Sequence, residues 1–132
     1  NTYAKHNITV RANNYTIEAI KEYPAFKEEI DNFQFLTIEH GQAIAGSRYF
    51  ELENTLAKRQ SFVHFENSGV IFQSAFLEAG VDNHVAKVMP NYTKTFIDFI
   101  QKENLKYHRI VGHHVNNNIT PDMVKQIAGA FR

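Results

Sequence analysis

Seven histidines are the side chains of this sequence best suited to bind a metal ion or haem. His108 and His114 fall on one side of a predicted strand, and His113 directly precedes His114. Neutral imidazole is a common ligand of zinc and iron. The spacing HRIVGHH does not match the common zinc patterns, and no carboxylate lies nearby in sequence to orient a ring. We interpret these histidines as exposed or structural side chains, with a metal or haem site at His108, His113 and His114 as the alternative.

Residues 40–47, HGQAIAGS, come nearest to a catalytic loop, because they contain one histidine, two glycines and a serine. An acyl-transfer enzyme needs a nucleophile next to a base, together with oxyanion donors. The sequence has no Gly-x-Ser-x-Gly motif and no Gly-rich phosphate loop. Carboxylate pairs such as Glu28 with Glu29 are typical of solvated faces. We interpret residues 40–47 as a loop between strands and predict that the protein is not an enzyme and needs no cofactor.

The composition narrows the classes of partner. Fourteen basic and fourteen acidic residues give no net charge, so we do not expect a nucleic-acid partner. The absence of cysteine excludes disulfides and thiolate chemistry. Eleven Phe and six Tyr are enough to fill a core or to line an apolar cavity. A chain of 132 residues is expected to form a single domain, residues 1–132.

The elements that must position these side chains are mostly predicted strands. Aromatic and β-branched residues at a period of two predict strands at 7–10, 33–40, 47–53, 61–66, 92–100 and 105–115. Residues 93–101 also match helical spacing, so a helix there is the alternative. Pro24 divides residues 15–30 into two helical pieces. Thr120, Pro121 and Asp122 are typical of a helix start and predict a helix over residues 120–131.

The stretch from Ser61 to Gly80, SFVHFENSGVIFQSAFLEAG, fits two structures. A helix from Val70 to Ala79 would have Ser68 as its N-cap and Gly80 as its C-cap. A turn at Ser68–Gly69 would instead make a hairpin with Phe65 opposite Phe72. We favour the hairpin, because the stretch is rich in residues with high strand propensity. Its apolar face is expected to fill the core, to line a cavity or to bind a partner, and it comprises Val63, Phe65, Val70, Phe72 and Phe76.

These elements predict a mainly β, β-rich α+β fold with helical segments at both ends. Six to eight antiparallel strands in a meander are expected to close into a barrel. A closed barrel can hold one apolar ligand. A barrel built from few strands leaves an open seam that a partner strand can close.

Three stretches of the sequence resemble one protein family. They are YFELENTLAKRQSFVHFENSGVIFQSAFLEAG, TFIDFIQKENLKYHRIV and NNITPDMVKQIAGAF. In their order and residue types they resemble the central hairpin, the next strand-turn-strand and the short amphipathic helix of the ToxS and VtrC family. These are membrane-anchored periplasmic proteins of vibrios that accompany a membrane-bound transcription regulator. The resemblance covers residues 47–131.

This resemblance implies a lipocalin-like (calycin-like) β fold in the periplasm, tethered to the inner membrane by an N-terminal helix outside the given sequence. It further implies signal transduction in virulence regulation, through a heterodimer with the periplasmic domain of the regulator. For the VtrC type it implies a joint barrel that receives bile salts. A bile salt or similar lipid needs an aromatic-lined chamber with polar groups at its mouth. A third hypothesis, a non-catalytic accessory domain of cell-wall peptidases, rests on SGVIFQSAFLEAG forming a helix.

Overall fold

The computed structural model describes residues 5–78, 89–112 and 118–130. The chain forms two compact units, residues 1–42 and 43–132. Helices and strands occur in both units, so the α+β character of the predicted fold is confirmed. The described strands pair into one two-stranded and one five-stranded sheet.

The first unit is built from strand β1 (Thr9–Ala12), helix α1 (Asn14–Glu22) and strand β2 (Gln34–Thr37). The two strands are parallel, with Thr9 opposite Gln34. Helix α1 begins where the Asn13 side chain accepts a hydrogen bond from the backbone N–H of Thr16 at 2.7 Å. Short 3₁₀ turns at Pro24–Phe26 and Ile30–Asn32 follow it. The predicted division of this segment at Pro24 is confirmed.

The second unit contains a five-stranded sheet and two helices. The sheet order is β3 (Ala43–Ile44), β4 (Ser47–Leu52), β5 (Gln60–Phe65), β6 (Val70–Gln73) and β7 (Arg109–Gly112). Strands β3 to β6 are antiparallel neighbours, whereas β7 is parallel to β6. The predicted antiparallel meander is therefore wrong at its last strand. The strand pairings of the described residues leave this sheet open and do not close it into a barrel.

Helix α2 (Asn91–Lys102) explains the parallel pairing, because it lies between β6 and β7 in the chain and parallel strands need such a crossover. The strand predicted at residues 92–100 is wrong, and the helical alternative is confirmed. Thr93, Phe96, Ile97 and Ile100 are buried at helical spacing. The alternation at a period of two, which suggested a strand, does not match the positions of these buried side chains.

The predicted last strand, residues 105–115, begins later than expected, because β7 starts at Arg109, and residues 113–115 lie outside the described residues. Helix α3 (Pro121–Ala130) confirms the predicted C-terminal helix. At its start the backbone N–H of Val124 donates to the carbonyl oxygen of Thr120 at 3.1 Å.

Helices α2 and α3 supply the second layer of the core in this unit. Phe62 of β5 packs edge-on against Phe96 of α2, with ring centroids 5.1 Å apart, and against Phe76 at 5.9 Å. The core cluster consists of Phe50, Leu52, Phe62, Ile71, Phe76, Leu77, Phe96, Ile97, Ile100, Ile110, Ile119, Val124 and Ile127. The sheet therefore presents one face to the two helices, and we call it the core face.

Candidate interaction surface

The opposite face of the five-stranded sheet, which we call the outer face, carries two rows of side chains across four strands. The register sets both rows. The first row is Tyr49, Val63, Phe72 and Val111. The second row is Ser47, Phe65, Val70 and Arg109. Because side chains alternate along a strand, all eight lie on one side of the sheet.

Four of the five residues predicted as an apolar face belong to these rows. Val63, Phe65, Val70 and Phe72 share one face, so the predicted parity is right. None of the four belongs to the core cluster. Phe65 and Phe72 each keep 43% of their surface exposed. Their expected role as core is therefore wrong, and whether they bind a ligand or partner stays a prediction.

The register of the hairpin differs from the predicted one by two residues. Phe65 lies opposite Val70, and Val63 lies opposite Phe72, around a loop of residues 66–69. A change of two residues keeps every side chain on its face. Gly69 lies in this loop with φ +62°, and a Cβ there would approach Nδ1 of His108 to 2.8 Å. The loop therefore requires glycine both for its conformation and for space.

Phe76 does not share the outer face, which corrects the fifth predicted residue. It is fully buried and stacks on Phe96 with ring centroids 4.9 Å apart. Strand β6 ends at Gln73, and the chain bends through Ala75, whose φ is +58°. A strand continuing through residue 76 would have placed Phe76 beside Phe72. The bend moves it to the core instead.

A single side-chain amide fixes this bend. Oε1 of Gln73 accepts hydrogen bonds from the backbone N–H groups of Phe76 at 2.7 Å and Leu77 at 3.2 Å. Its Nε2 donates to the carbonyl oxygen of Leu77 at 2.8 Å. The side chain replaces strand pairing as the partner of these buried backbone groups. In the sequence this glutamine cannot be distinguished from a solvated polar residue of a strand.

The face expected to be polar is the core face. His64 and Gln73 are 4% and 3% exposed, beside the buried Phe62 and Ile71. Nε2 of His64 lies 2.9 Å from the carbonyl oxygen of Lys106 and donates to it. Its Nδ1 is buried without a partner among the described residues. Both polar side chains therefore serve backbone groups inside the core.

Charged side chains flank the outer face at two opposite corners. Arg109 ends the second row on β7, and Glu51 lies on β4 two residues beyond Tyr49. The Tyr49 hydroxyl donates to the Glu51 carboxylate at 2.7 Å.

At the hairpin end, Nε of Arg48 donates to Glu66 at 2.8 Å. This hydrogen bond lowers the pKa of the exposed Glu66 below its usual 4.5.

The histidines of the alternative metal site are only partly described. His108 is exposed, and its backbone N–H donates to the carbonyl oxygen of Gly69 at 2.9 Å. His113 and His114 lie outside the described residues. Within residues 5–78, 89–112 and 118–130, no three His, Asp or Glu side chains are grouped so that they could hold a metal ion.

Residues 40–42 lie between β2 and β3 in the chain, as predicted for a loop between strands, and residues 43–47 belong to the hairpin of β3 and β4. Strand β3 turns into β4 through Ala45 and Gly46, with φ of +48° and +79°. This two-residue turn has the twist that antiparallel strands favour. The hydroxyl of Ser47 donates to the carbonyl oxygen of Ile44 at 2.7 Å, which is a structural role in this turn.

Sequence reasoning missed one surface cleft of about 410 Å³ between the end of α2 and the start of α3. Its lining consists of Ile100, Gln101, Asn104, Leu105, Lys106, Tyr107, Pro121, Val124 and Lys125. Burial raises the pKa of Tyr107 to about 12. The side chains come from residues 100–107 and 121–125, whose types and spacing match no common site motif, so the sequence did not reveal the cleft.

Comparison with known proteins supplies no family for this chain. No protein-family model matches it, and no curated protein matches it in sequence. Among the described residues, no helix is both long enough and apolar enough to cross a membrane.

Proposed function

We propose that this chain is a non-enzymatic interaction domain that binds another protein through its outer face. The observation that carries the proposal is the apolar group of Val63, Phe65, Val70 and Phe72 on adjacent strands of this face, with Phe65 and Phe72 each 43% exposed. Neighbouring exposed apolar side chains on one face are a feature of binding surfaces. Exposed aromatic side chains are also frequent among the residues that dominate binding energy.

The two phenylalanines have enough exposed surface to matter. Complete burial of the remaining surface of each ring would contribute on the order of 2 kcal/mol. Phe72 lies between Val63 and Val111 in its row, and Phe65 lies beside Val70 in the other. A phenylalanine side chain has only two rotatable bonds, so ordering each ring on binding costs little side-chain entropy.

The partner that we propose is the periplasmic domain of a membrane-bound transcription regulator, as the family resemblance implies. The domain would stabilise the regulator in the periplasm and take part in virulence signalling. Strands from both chains would complete the lipocalin-like barrel. Phe65 and Phe72 are exposed side chains on one face of a sheet, so an apolar ligand such as a bile salt would need the partner as the second wall of its chamber.

The test is a calorimetric titration of this chain with the periplasmic domain of the regulator encoded beside it. We expect Phe65→Ser and Phe72→Ser each to weaken binding at least about tenfold, as residues at the centre of an interface do. Leu56→Ser is the matched control, because Leu56 is 59% exposed in the turn between β4 and β5. Equal affinity of all three variants and the parent chain would exclude the outer face.

The ligand is tested separately by thermal unfolding in the presence of sodium glycocholate. We expect the complex, and not either chain alone, to gain stability, because a ligand that binds only the assembled state shifts its unfolding midpoint. Phe72→Ser should remove this gain even at concentrations that restore the complex. A gain of equal size for the isolated chain would contradict a shared chamber.

A further inference from the structure

We propose that, when the regulator is absent, a second copy of this chain occupies the outer face, in a symmetric dimer with the two sheets packed face to face. The inference rests on the proposed function in that it uses the same surface. It adds that the regulator must displace a copy of the chain in order to bind. The proposal rests on the charges at the two corners of the outer face.

The positions of Glu51 and Arg109 are related by the geometry of the sheet. Arg109 lies three strands away from β4, about 14 Å across the sheet at the usual strand spacing. Along β4, Glu51 lies four residues beyond Ser47, a distance of about 13 Å. Because Ser47 is in the same row as Arg109, the two charges are separated by this same distance in the strand direction. The two charges therefore occupy opposite corners of a nearly square patch that includes Val63, Phe65, Val70 and Phe72.

A two-fold axis between two such patches gives reciprocal ion pairs. The axis runs parallel to the sheets, along the diagonal that separates the two charged corners. Each copy's Arg109 then lies opposite its partner's Glu51, and each Glu51 opposite its partner's Arg109, as an isologous interface requires. The Tyr49 hydroxyl, 2.7 Å from the Glu51 carboxylate, holds the acidic corner on this face.

The same axis fixes how the strands of the two copies cross. Because it lies at about 45° to the strands, the two sheets cross at about 90°, which is one of the two preferred geometries of sheet packing. Val63 and Phe72 are adjacent near the middle of the patch and would meet the same pair in the partner. Phe65 would lie against its partner's Tyr49. The small side chain of Ser47 falls close to the axis.

The size of the patch determines the strength of this dimer. Four short strands cover less surface than the roughly 800 Å² per partner of a standard interface. We therefore expect weak, concentration-dependent pairing, which a partner with a larger complementary surface can displace. Such exchange would keep the apolar rows covered before the regulator binds.

The experiment mixes two charge-reversal variants of the whole chain, Arg109→Glu and Glu51→Arg. Each variant alone has like charges at both contacts of the dimer, whereas a mixed dimer has opposite charges at both. Sedimentation equilibrium of the parent chain should show masses rising from 15.2 kDa toward that of two chains as concentration increases. Each variant alone should pair at least about tenfold more weakly, since facing like charges are unfavourable. The mixture should pair as the parent does.

Lys58→Glu and Glu53→Arg, two exposed positions on the turn after β4, are the control pair and should leave pairing unchanged. If Glu51→Arg does not fold by circular dichroism, Arg109→Glu alone remains decisive, because it must stay monomeric at concentrations where the parent chain pairs. A monomeric parent chain, or variants that do not recover on mixing, would overturn the dimer. If the dimer is overturned but the regulator still binds the parent chain and no longer binds Phe72→Ser, the proposed function stands.

Discussion

The two faces of the five-stranded sheet have similar sequences and opposite surroundings. Phe62 and Ile71 on the core face are 2% and 0% exposed, whereas Phe65 and Phe72 on the outer face are each 43% exposed. All four lie on the same two strands and differ only in parity. The apolar content of a strand therefore did not decide which side became the core. Helices α2 and α3 decided it, because their buried stripes pack on one side.

The largest expected effect tests this difference directly. Phe62→Ala should lower the free energy of unfolding by about 3–5 kcal/mol, because it leaves a cavity among Phe50, Phe76 and Phe96. Phe72→Ala should cost less than about 1 kcal/mol, because solvent already reaches its ring. Urea unfolding of both variants measures the two values.

Equal losses for these two variants would show that the outer face is packed as tightly as the core face. A loss for Phe72→Ala that appears only at high protein concentration would instead support pairing of the chain, because dissociation then contributes to unfolding.

The second prediction concerns the buried amide that ends β6. Gln73→Leu should lower the free energy of unfolding by about 2–3 kcal/mol, because the buried backbone N–H groups of Phe76 and Leu77 lose their acceptor. Gln101→Leu, at an exposed position on α2, is the matched control and should be nearly neutral. Chemical unfolding measures both. A neutral Gln73→Leu would mean that the bend holds without its amide.

Much of the fold followed from local signals in the sequence. Strands β4 and β5, the division at Pro24 and the helix after Thr120 were predictable from periodicity and capping residues, which act over a few neighbours. Helix α2 was ambiguous, since its apolar residues satisfy both periods. The parallel pairing of β7 was not predictable, because it depends on where that helix packs.

The site was predictable in parity and not in environment. Val63, Phe65, Val70 and Phe72 were correctly grouped on one face by alternation. The side that faces the helices was misassigned, because His64 and Gln73 suggested a wet surface. In a sequence, a polar residue whose side chain bonds a backbone group inside the core cannot be told from a polar residue that faces solvent. Phe76 was misplaced because the bend occurs at an alanine, Ala75, and no glycine indicates it in the sequence.

The third prediction concerns the stability of the protein at alkaline pH and a tyrosine on the core side. Burial raises the pKa of Tyr107 from 10.0 to about 12, so folding favours the neutral phenol. The stability from this group is fully present below pH 10 and is lost as the pH rises toward and through 12. We expect Tyr107→Phe to flatten the fall in unfolding midpoint above pH 10. Tyr15→Phe is the control, because Tyr15 is 68% exposed. Identical alkaline profiles for parent and Tyr107→Phe would contradict the assignment.

The smallest expected effect is at the rim of the sheet. The hydrogen bond from Arg48 lowers the pKa of Glu66 below 4.5, so folding favours its carboxylate. This contribution is present above pH 4.5 and is lost as the pH falls through the lowered pKa. Thermal unfolding of Arg48→Gln should therefore differ slightly from that of the parent at neutral pH and converge with it in acid. A difference in unfolding midpoint that stays constant with pH would assign the effect to packing of the Arg48 side chain.

The crossover that makes β7 parallel to β6 also has a consequence for the order of folding. Strands β4, β5 and β6 are joined by short turns, so their contacts close small loops early. Strand β7 joins the sheet only after the chain has passed through α2, and its pairing must wait for that helix to dock. We therefore expect the amides of β5 to be protected from hydrogen exchange before those of β7 during refolding. The outer face would acquire its arginine corner last.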